Sequence, residues 1–256
     1  MPRVVIVGAG FAGSAVARHL ERLLPPEWEI LLLSRENYIT YNPLLAEVVG
    51  ASILPGHVVA PVRQMLRRAR FRMVDVTGVD VPGRTLRTAE PELGSIHWDR
   101  LVLACGVRAN LDLVPGMAAH AVPLKLLGDA LALRNRVLIQ LERAARHPDP
   151  EESRALTRFL VVGGGFSGVE VAGELQDFLA EAVGYYPEVP AESCRVTVVH
   201  SRERLLDELS PRLGRYAEDR MRRAGVDVRL GARVARVDAR GAELTGGERL
   251  DAATVV

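Results

Sequence analysis

The sequence predicts an α/β protein made of two units that repeat the same order of elements. Residues 4–7 and 159–162 are unbroken apolar runs, which are typical of strands buried on both faces of a parallel sheet. Each run leads into a glycine-rich loop, and each loop leads into a pattern with helical spacing. The repeat therefore indicates two units of like architecture within 256 residues.

The first unit begins strand, loop, helix, strand. The helix is predicted over residues 12–24, where Pro25 and Pro26 end it, and the next strand over 29–33. Residues 71–104 then hold short strand-like runs separated by VPGR and EPELG, which favour turns. We expect these runs to form a small antiparallel meander.

The second unit follows a long helix and a polar stretch. A helix is predicted over 124–147, and HPDPEESR at 147–154 is the best candidate linker. After the second glycine loop we expect a helix, a strand, a helix and two short strands, over residues 167–183, 195–200, 211–224, 226–230 and 233–237. The predicted domains are 1–115, a connecting segment 116–154 with the long helix, and 155–256.

Composition excludes several classes of function. A formal net charge of +1 gives no argument for nucleic acid, and the arginine-rich run at 63–70 has the spacing of a solvated helix face. Cys105 and Cys194 form no metal-spaced or disulfide set, so we expect no metal site and a reducing, cytoplasmic location. No apolar run approaches the roughly 18 residues that span a bilayer, and no secretory signal opens the sequence.

Both glycine loops satisfy GxGxxG between a strand and a helix, the context that makes this motif a dinucleotide-binding signal. The first glycine makes a tight turn, the second lets a pyrophosphate approach the backbone, and the third lets helix and strand pack closely. The helix N-terminus adds free N–H groups for the phosphates. The candidate binding residues in the loops are Gly8, Ala9, Gly10, Phe11, Ala12, Gly13, Gly163, Gly165, Phe166, Ser167 and Gly168.

An acidic residue that holds the ribose hydroxyls is expected at the end of the second strand, and both copies lack it. The first copy has Ser34 there, followed by Arg35 and Glu36, and Glu36 is a possible substitute. The second copy has His200, Ser201 and Arg202. Because an arginine can hold a 2′-phosphate, the sequence leaves NADH and NADPH both open, and we favour NADH.

The whole chain resembles the flavoproteins with two dinucleotide-binding domains, whose fold is of the pyridine nucleotide-disulfide oxidoreductase kind. We therefore expect two Rossmann-like folds, each with a small antiparallel meander. More closely, the chain is similar to the type II NADH dehydrogenases, the non-pumping NADH:quinone oxidoreductases of respiratory electron transfer. The resemblance runs through VVIVGAGFAG, SRENYITYNPLLAEV, DVTGVD, DRLVLACG, PLKLLGDALALRNRV, FLVVGGGFSGVEVAGEL and HSRERLLDELSPRL.

The resemblance implies FAD on the first fold, NAD(P)H on the second, hydride transfer to flavin N5 and quinone as the electron acceptor. It places Asn42, Pro43 and Leu44 against the flavin ring, with Val76 meeting the adenine through its backbone. Ala104, Cys105 and Gly106 match a stretch beside the flavin, where Cys105 replaces a threonine. A small buried side chain is the simpler interpretation of Cys105.

Glu170 carries two interpretations. In the resembling family a glutamate at this place lies near the flavin and the quinone path, which makes Glu170 the candidate catalytic residue. Ser167-x-x-Glu170 also has the spacing of a capping box, in which both side chains satisfy N–H groups at a helix start. The sequence leaves both open.

Two alternatives remain at this point: the acceptor is an iron–sulfur protein or another small molecule, or the chain is a nucleotide sensor or fragment without turnover. We expect the chain to be the front part of a longer enzyme that ends as it returns to the FAD domain. On its own it should then bind FAD weakly or not at all. Membrane contact would then come from a further C-terminal part, on the inner face of the cell membrane, and a homodimer is possible. The disulfide-reductase branch is disfavoured because residues 34–60 contain no cysteine.

Overall fold

The structure, a computed structural model, describes every residue from Met1 to Val256. Internal contacts divide it into two units. The first comprises Met1–Tyr41 and Val58–Arg108, and the second comprises Asn42–His57 and Ala109–Val256. Residues 42–57 belong to the second unit, which the predicted domain boundaries did not include. Those boundaries stay a prediction.

The chain contains eight α-helices. They are α1 Phe11–Leu23, α2 Leu45–Val49, α3 Val62–Met65, α4 Met117–His120, α5 Leu127–Arg146, α6 Pro150–Leu156, α7 Phe166–Ala182 and α8 Pro211–Arg223.

Nine strands belong to the first unit: β1 Arg3–Val7, β2 Glu29–Ser34, β3 Tyr38–Thr40, β4 Val59–Pro61, β5 Arg70–Met73, β6 Val76–Asp80, β7 Thr85–Thr88, β8 Ile96–His97 and β9 Arg100–Leu103. Seven belong to the second: β10 Arg158–Val162, β11 Arg195–Val199, β12 Asp227–Arg229, β13 Val234–Asp238, β14 Gly241–Leu244, β15 Arg249–Asp251 and β16 Thr254–Val255.

A four-stranded parallel sheet forms the centre of the first unit, in the order β5-β2-β1-β9. Val5 and Ile6 on β1 face opposite sides and both are fully buried, as the apolar run predicted. Strands β6, β7 and β8 form the predicted antiparallel meander.

The second unit repeats this plan. Its parallel sheet has the order β12-β11-β10-β16, and β13, β14 and β15 form a second antiparallel meander. Helix α2 packs against α5 and α7, so residues 42–57 lie within this unit. Two Rossmann-like folds, each with a small meander, are therefore confirmed.

The structure corrects three local predictions. Phe71 and Leu103 do not belong to the meander, because β5 and β9 pair in parallel with β2 and β1. The arginine-rich run at 63–70 is not one helix face: α3 ends at Met65, and β5 begins at Arg70. The polar stretch 147–154 is not an extended linker, because Asp149 caps α6 by accepting the N–H of Glu151 at 2.9 Å.

Candidate functional site

The first glycine loop, residues 8–13, joins β1 to α1 and admits only glycine at two positions. Gly8 has φ +101°, and a Cβ there would collide with the carbonyl oxygen of Ala104. A Cβ on Gly13 would collide with the carbonyl oxygen of Gly8, so helix and strand approach at backbone distance. The loop is held to the sheet by the N–H of Gly8, which donates to Leu33 O at 2.7 Å.

Gly10, the second glycine of the motif, behaves differently from the other two. A Cβ built there would meet no protein atom within 4 Å, so the space in front of its Cα is open. Gly10 is also the N-cap of α1 and has no side-chain cap, and the first N–H groups of a helix lack intrahelical partners. The loop thus fits a phosphate that approaches the backbone at a helix N-terminus.

A cavity of about 150 Å³ continues from this loop along the ends of β1 and β2. Ser34, Val76 and Cys105 line it, together with Arg35, which forms an ion pair with Asp75 at 3.7 Å. Glu36 lies beside Tyr38 and, after burial, is the second cause that raises the pKa of that phenol. The cavity brings together the predicted residues of the strand ends and of the stretch that follows β9.

The stretch after β9 turns across the end of β1. Ala104 donates its N–H to Val7 O at 2.8 Å, and Gly106 adopts φ +65°. The Cys105 residue is exposed, with Sγ 3.9 Å from Val7 O, so the interpretation of Cys105 as a small buried side chain is wrong.

The second glycine loop, residues 163–168, repeats this geometry between β10 and α7. Gly163 has φ +125°, and a Cβ on Gly168 would collide with the carbonyl oxygen of Gly163. Gly165 is the N-cap of α7, and a Cβ built on it would meet no atom within 4 Å. This loop also fits a phosphate at a helix N-terminus.

His200 follows β11, at the place where the fold is expected to carry an acid. Its Nδ1 accepts the N–H of Gly164 at 3.1 Å, and its ring lies against that glycine. Ser201 and Arg202 come next and are exposed. Arg202 forms an ion pair with Asp207, whose other oxygen lies 3.6 Å from His200 Nε2.

Glu170 is not a helix-capping residue. Helix α7 begins one residue before Ser167, its N-cap is Gly165, and no side chain caps it. The capping-box interpretation is therefore wrong, because the N-cap position is held by Gly165 and not by Ser167. The Glu170 carboxyl is left free for other contacts.

Helix α2 brings a second glutamate towards Glu170. Partial burial and then the charge of Glu47 raise the pKa of the Glu170 carboxyl. Glu47 Oε2 is buried and has no hydrogen-bond partner. One turn further along α7, Glu174 accepts a hydrogen bond from Ser52 Oγ at 2.7 Å. These contacts create a carboxyl-rich region in which the pKa of Glu170 lies above the ordinary glutamate value.

The segment Asn42–Leu44 forms a short 3-10 turn that leads into α2. Asn42 and Pro43 are exposed, whereas Leu44 is half-buried. Phe11, in the first turn of α1, is 59% exposed and lies edge-on to Tyr41, with ring centroids 6.3 Å apart.

No helix of the structure combines the length and the apolar character needed to cross a membrane. No group of three or more His, Cys, Asp or Glu side chains is arranged to hold a metal ion.

The sequence of residues 2–256 matches the family model described as pyridine nucleotide-disulphide oxidoreductase. The chain belongs to this family. The match covers both glycine loops and both meanders, so the two Rossmann-like folds are features of one family domain.

Relatives within the family are named as quinone oxidoreductases. The chain is 32% identical over 246 residues to type II NADH:quinone oxidoreductase Ndh of Mycobacterium tuberculosis, covering 93% of this chain and 52% of the relative. It is 30% identical over 249 residues to external alternative NAD(P)H-ubiquinone oxidoreductase B4, mitochondrial, of Arabidopsis thaliana, covering 93% and 42%. The chain thus spans about half the length of these relatives.

A solved structure of NDH2 from Plasmodium falciparum in complex with NADH matches the fold with a TM-score of 0.90. The match covers 99% of this chain and 54% of that one, at 21% identity. The similarity establishes that the arrangement of elements in this pyridine nucleotide-disulphide oxidoreductase is that of a known fold.

Two residues of this region escaped the sequence analysis. Asp207 lies seven positions after His200, and the available signal was an acid in the segment that follows β11. Glu47 lies in the apolar run LLAEVV, where a single acid on a buried helix was the signal. Neither fits a fixed-spacing motif, because both approach their partners through tertiary packing.

Proposed function

We propose that the chain carries the FAD and NAD(P)H sites of an NAD(P)H:quinone oxidoreductase of the type II NADH dehydrogenase kind. The observation that carries the proposal is the pair of glycine loops, each open at its second glycine and each at a helix N-terminus. A hydride donor and a flavin acceptor require two such sites. Alignment with quinone oxidoreductases over 93% of the chain supports the choice of reaction.

The cofactors supply the redox chemistry when bound: NAD(P)H gives a hydride to the flavin, and two electrons pass to a quinone. The chain binds and orients. Gly8–Gly13 would hold the FAD pyrophosphate at α1, and Ser34 and Val76 would border its adenosine end. Cys105 lines the same cavity, and the resemblance places it with Ala104 and Gly106 beside the flavin. We also propose Asn42, Pro43 and Leu44 as flavin contacts, a role that rests on the resemblance alone.

Gly163–Gly168 would hold the NAD(P)H pyrophosphate at the N-terminus of α7. The residues after β11, His200, Ser201 and Arg202, border the ribose side of this site. The fixed turn at Gly163 keeps the backbone N–H groups in place before the nucleotide arrives, so little ordering is needed on binding.

Glu170 is the group we propose for proton handling. Reduction of a quinone consumes protons, and a carboxyl is an effective donor when its pKa lies closer to the working pH. Partial burial and the neighbouring Glu47 raise the pKa of Glu170 in that direction. Glu170 would hold a proton on a carboxyl oxygen and release it to the reduced acceptor.

Anaerobic spectroscopy on the full-length, flavin-loaded protein tests this function. Addition of NADH should bleach the flavin absorbance, and a water-soluble ubiquinone or menaquinone analogue should restore it. An iron–sulfur protein should restore it much more slowly. Flavin that stays oxidised under excess NADH and NADPH contradicts the proposal and favours a sensor, whereas rapid reoxidation by the iron–sulfur protein alone changes the acceptor.

Quinone as the acceptor is consistent with the names of the relatives. A cytoplasmic location is a proposal drawn from the cysteine pattern. Peripheral contact with the inner face of the cell membrane and a homodimer are proposals drawn from the resemblance. Vesicle flotation and light scattering on the full-length protein test them.

A further inference from the structure

The segment Ser201–Ser210, which follows β11, contains a carboxylate near the place where the second fold lacks its ribose acid. His200 occupies that place, and the N–H of Gly164 donates to its Nδ1 at 3.1 Å. A neutral His200 ring that accepts at Nδ1 carries its proton on Nε2. Nε2 is buried, has no hydrogen-bond partner and faces Asp207 Oδ1 at 3.6 Å. A single imidazole ring therefore separates Asp207 from the glycine loop.

Neighbouring contacts fix the position of Asp207. The N–H of Leu206 donates to Gly164 O at 2.8 Å, which ties the segment to the glycine loop. Leu205 is fully buried, and Arg204 Nη2 donates to the backbone carbonyl of Asp207 at 2.8 Å. Leu206 adopts φ +50°, a conformation that non-glycine residues keep only when their surroundings enforce it. Asp207 is thus held beside the loop by backbone contacts.

The charge of Arg202 is already matched by Asp207. Arg202 Nε lies 3.1 Å from Asp207 Oδ2, and the arginine side chain is 69% exposed whereas that of Asp207 is 22% exposed. An arginine paired in this way offers a 2′-phosphate less attraction than a free one. A carboxylate in the same place repels a phosphate dianion and accepts a hydrogen bond from a ribose hydroxyl.

We propose that Asp207 substitutes for the missing ribose acid and makes the second site prefer NADH to NADPH. This inference rests on the proposed function, because it assigns the second glycine loop to the nicotinamide nucleotide. Asp207 acts on specificity in two ways: it accepts from the 2′-hydroxyl, and it neutralises Arg202.

Calorimetry with NAD⁺ and NADP⁺ tests the inference without turnover. The full-length, flavin-loaded protein should bind NAD⁺ at least about tenfold more tightly than NADP⁺. Asp207→Asn is nearly isosteric; it should weaken NAD⁺ binding and strengthen NADP⁺ binding, so that the ratio falls about tenfold or more. Asp207→Glu should keep the preference for NAD⁺. Adding Arg202→Ala to Asp207→Asn should remove the gain for NADP⁺.

Glu208→Gln is the matched control, since it removes the adjacent exposed acid, whereas the ion pairs of His200 and Arg202 are with Asp207. It should leave the ratio unchanged. A wild-type preference for NADP⁺, or an unchanged ratio in an Asp207→Asn variant that melts at the wild-type temperature, overturns the inference.

The same protein separates this inference from the proposed function. Discrimination by Asp207 in a protein that does not reduce quinones supports the inference and breaks the proposed function. Quinone reduction at equal efficiency with NADH and NADPH overturns the inference alone.

Discussion

The two glycine loops share a backbone and differ in the residue between their first two glycines. In both, the first glycine has a positive φ, the second faces open space, and the third packs against the carbonyl of the first. The intervening residue is Ala9 in the first loop and Gly164 in the second. A methyl is therefore accommodated in one loop and absent from the other.

Two side chains packed against Gly164 explain this difference: His200, at the end of the neighbouring strand, and Leu205, whose Cδ2 would lie 2.6 Å from a Cβ there. Ser34 is small and leaves room for the methyl of Ala9, which is buried. His200 lays its ring on Gly164, and a Cβ there would come within 2.7 Å of His200 Cγ. The motif fixes the glycines that a dinucleotide needs, while the side chains packed against the loop decide the residue between the first two glycines.

The largest effect, on nucleotide affinity, is expected at the second glycine of each motif, which faces open space in both loops. Gly165→Ala adds a methyl that meets no protein atom within 4 Å, so folding should be unaffected. The methyl would occupy the space that a pyrophosphate needs and would displace roughly two charge-assisted N–H bonds of about 2 kcal/mol each. NAD⁺ affinity should fall about 1,000-fold in calorimetry, with flavin content unchanged.

Gly10→Ala is the matched variant in the first loop, and it should give the opposite pattern. Flavin content should fall while the NAD⁺ affinity of the second loop is retained. Loss of NAD⁺ binding from Gly10→Ala and of flavin from Gly165→Ala would reverse the assignment of the two loops.

A second contrast separates the helices that follow the loops. Glu170 on α7 corresponds in position to Ala15 on α1, so only the second helix brings a carboxyl to its first turns. Glu170→Gln should lower kcat with quinone about 100-fold and leave flavin bleaching by NADH intact. Stopped-flow measurement of the two half-reactions checks this. Equal losses in both half-reactions would indicate a structural role.

The pH dependence has a defined direction. A raised pKa keeps Glu170 protonated to higher pH than an ordinary glutamate, so the wild-type rate should fall as pH rises through that pKa. Glu47→Gln removes a like charge and should move this limb to lower pH. Glu174→Gln serves as control because that carboxylate is engaged by Ser52.

The apolar runs predicted both parallel sheets because β1 and β10 are buried on both faces, which leaves no ambiguity of period. The arginine-rich run was misjudged because Phe71 completes a parallel strand with β2, and such long-range pairing has no local signal. The glycine loops could be predicted because GxGxxG is a local pattern of six consecutive residues. Asp207 and Glu47 reach the site through tertiary packing, which spacing does not encode.

A smaller effect should follow at Gly164. Gly164→Ala would press a methyl against His200 and Leu205 Cδ2, and overpacking of this kind costs about 2 kcal/mol. Combining it with His200→Ser reproduces the pair found in the first fold and should recover the part of that loss that the imidazole ring causes, while the contact with Leu205 Cδ2 remains. Urea unfolding of both single variants and the double variant gives the coupling energy. Additive losses would show that the strand end does not govern this position.

Gly173→Ala is the control for that cycle. This glycine lies inside α7, and a Cβ there would meet no atom within 4 Å. Because alanine favours helix over glycine, the free energy of unfolding should rise by up to about 1 kcal/mol.

The smallest effect, on the free energy of unfolding, is expected from a change at Glu21 on α1, which corresponds in position to Gln176 on α7. Glu21 Oε1 accepts the N–H groups of Arg67, Arg68 and Ala69 at 2.8–2.9 Å, whereas Gln176 Oε1 is buried without a partner. Burial opposes ionisation of Glu21, but the three N–H donors prevail and lower its pKa. Glu21→Gln keeps the acceptor and removes its charge, so unfolding should require about 1 kcal/mol less at pH 7.

The stabilisation by a carboxylate with a lowered pKa is complete above the pKa of the unfolded chain and is lost as pH falls through the folded-state pKa. The difference between wild type and Glu21→Gln should therefore be constant near neutral pH and should shrink in acid, below the ordinary glutamate value of 4.5. Glu27→Gln, at an exposed residue two positions before β2, is the matched control and should show no such dependence. A difference that persists unchanged to pH 3 would mean that the carbonyl geometry, and not the charge, distinguishes Glu21 from Gln176.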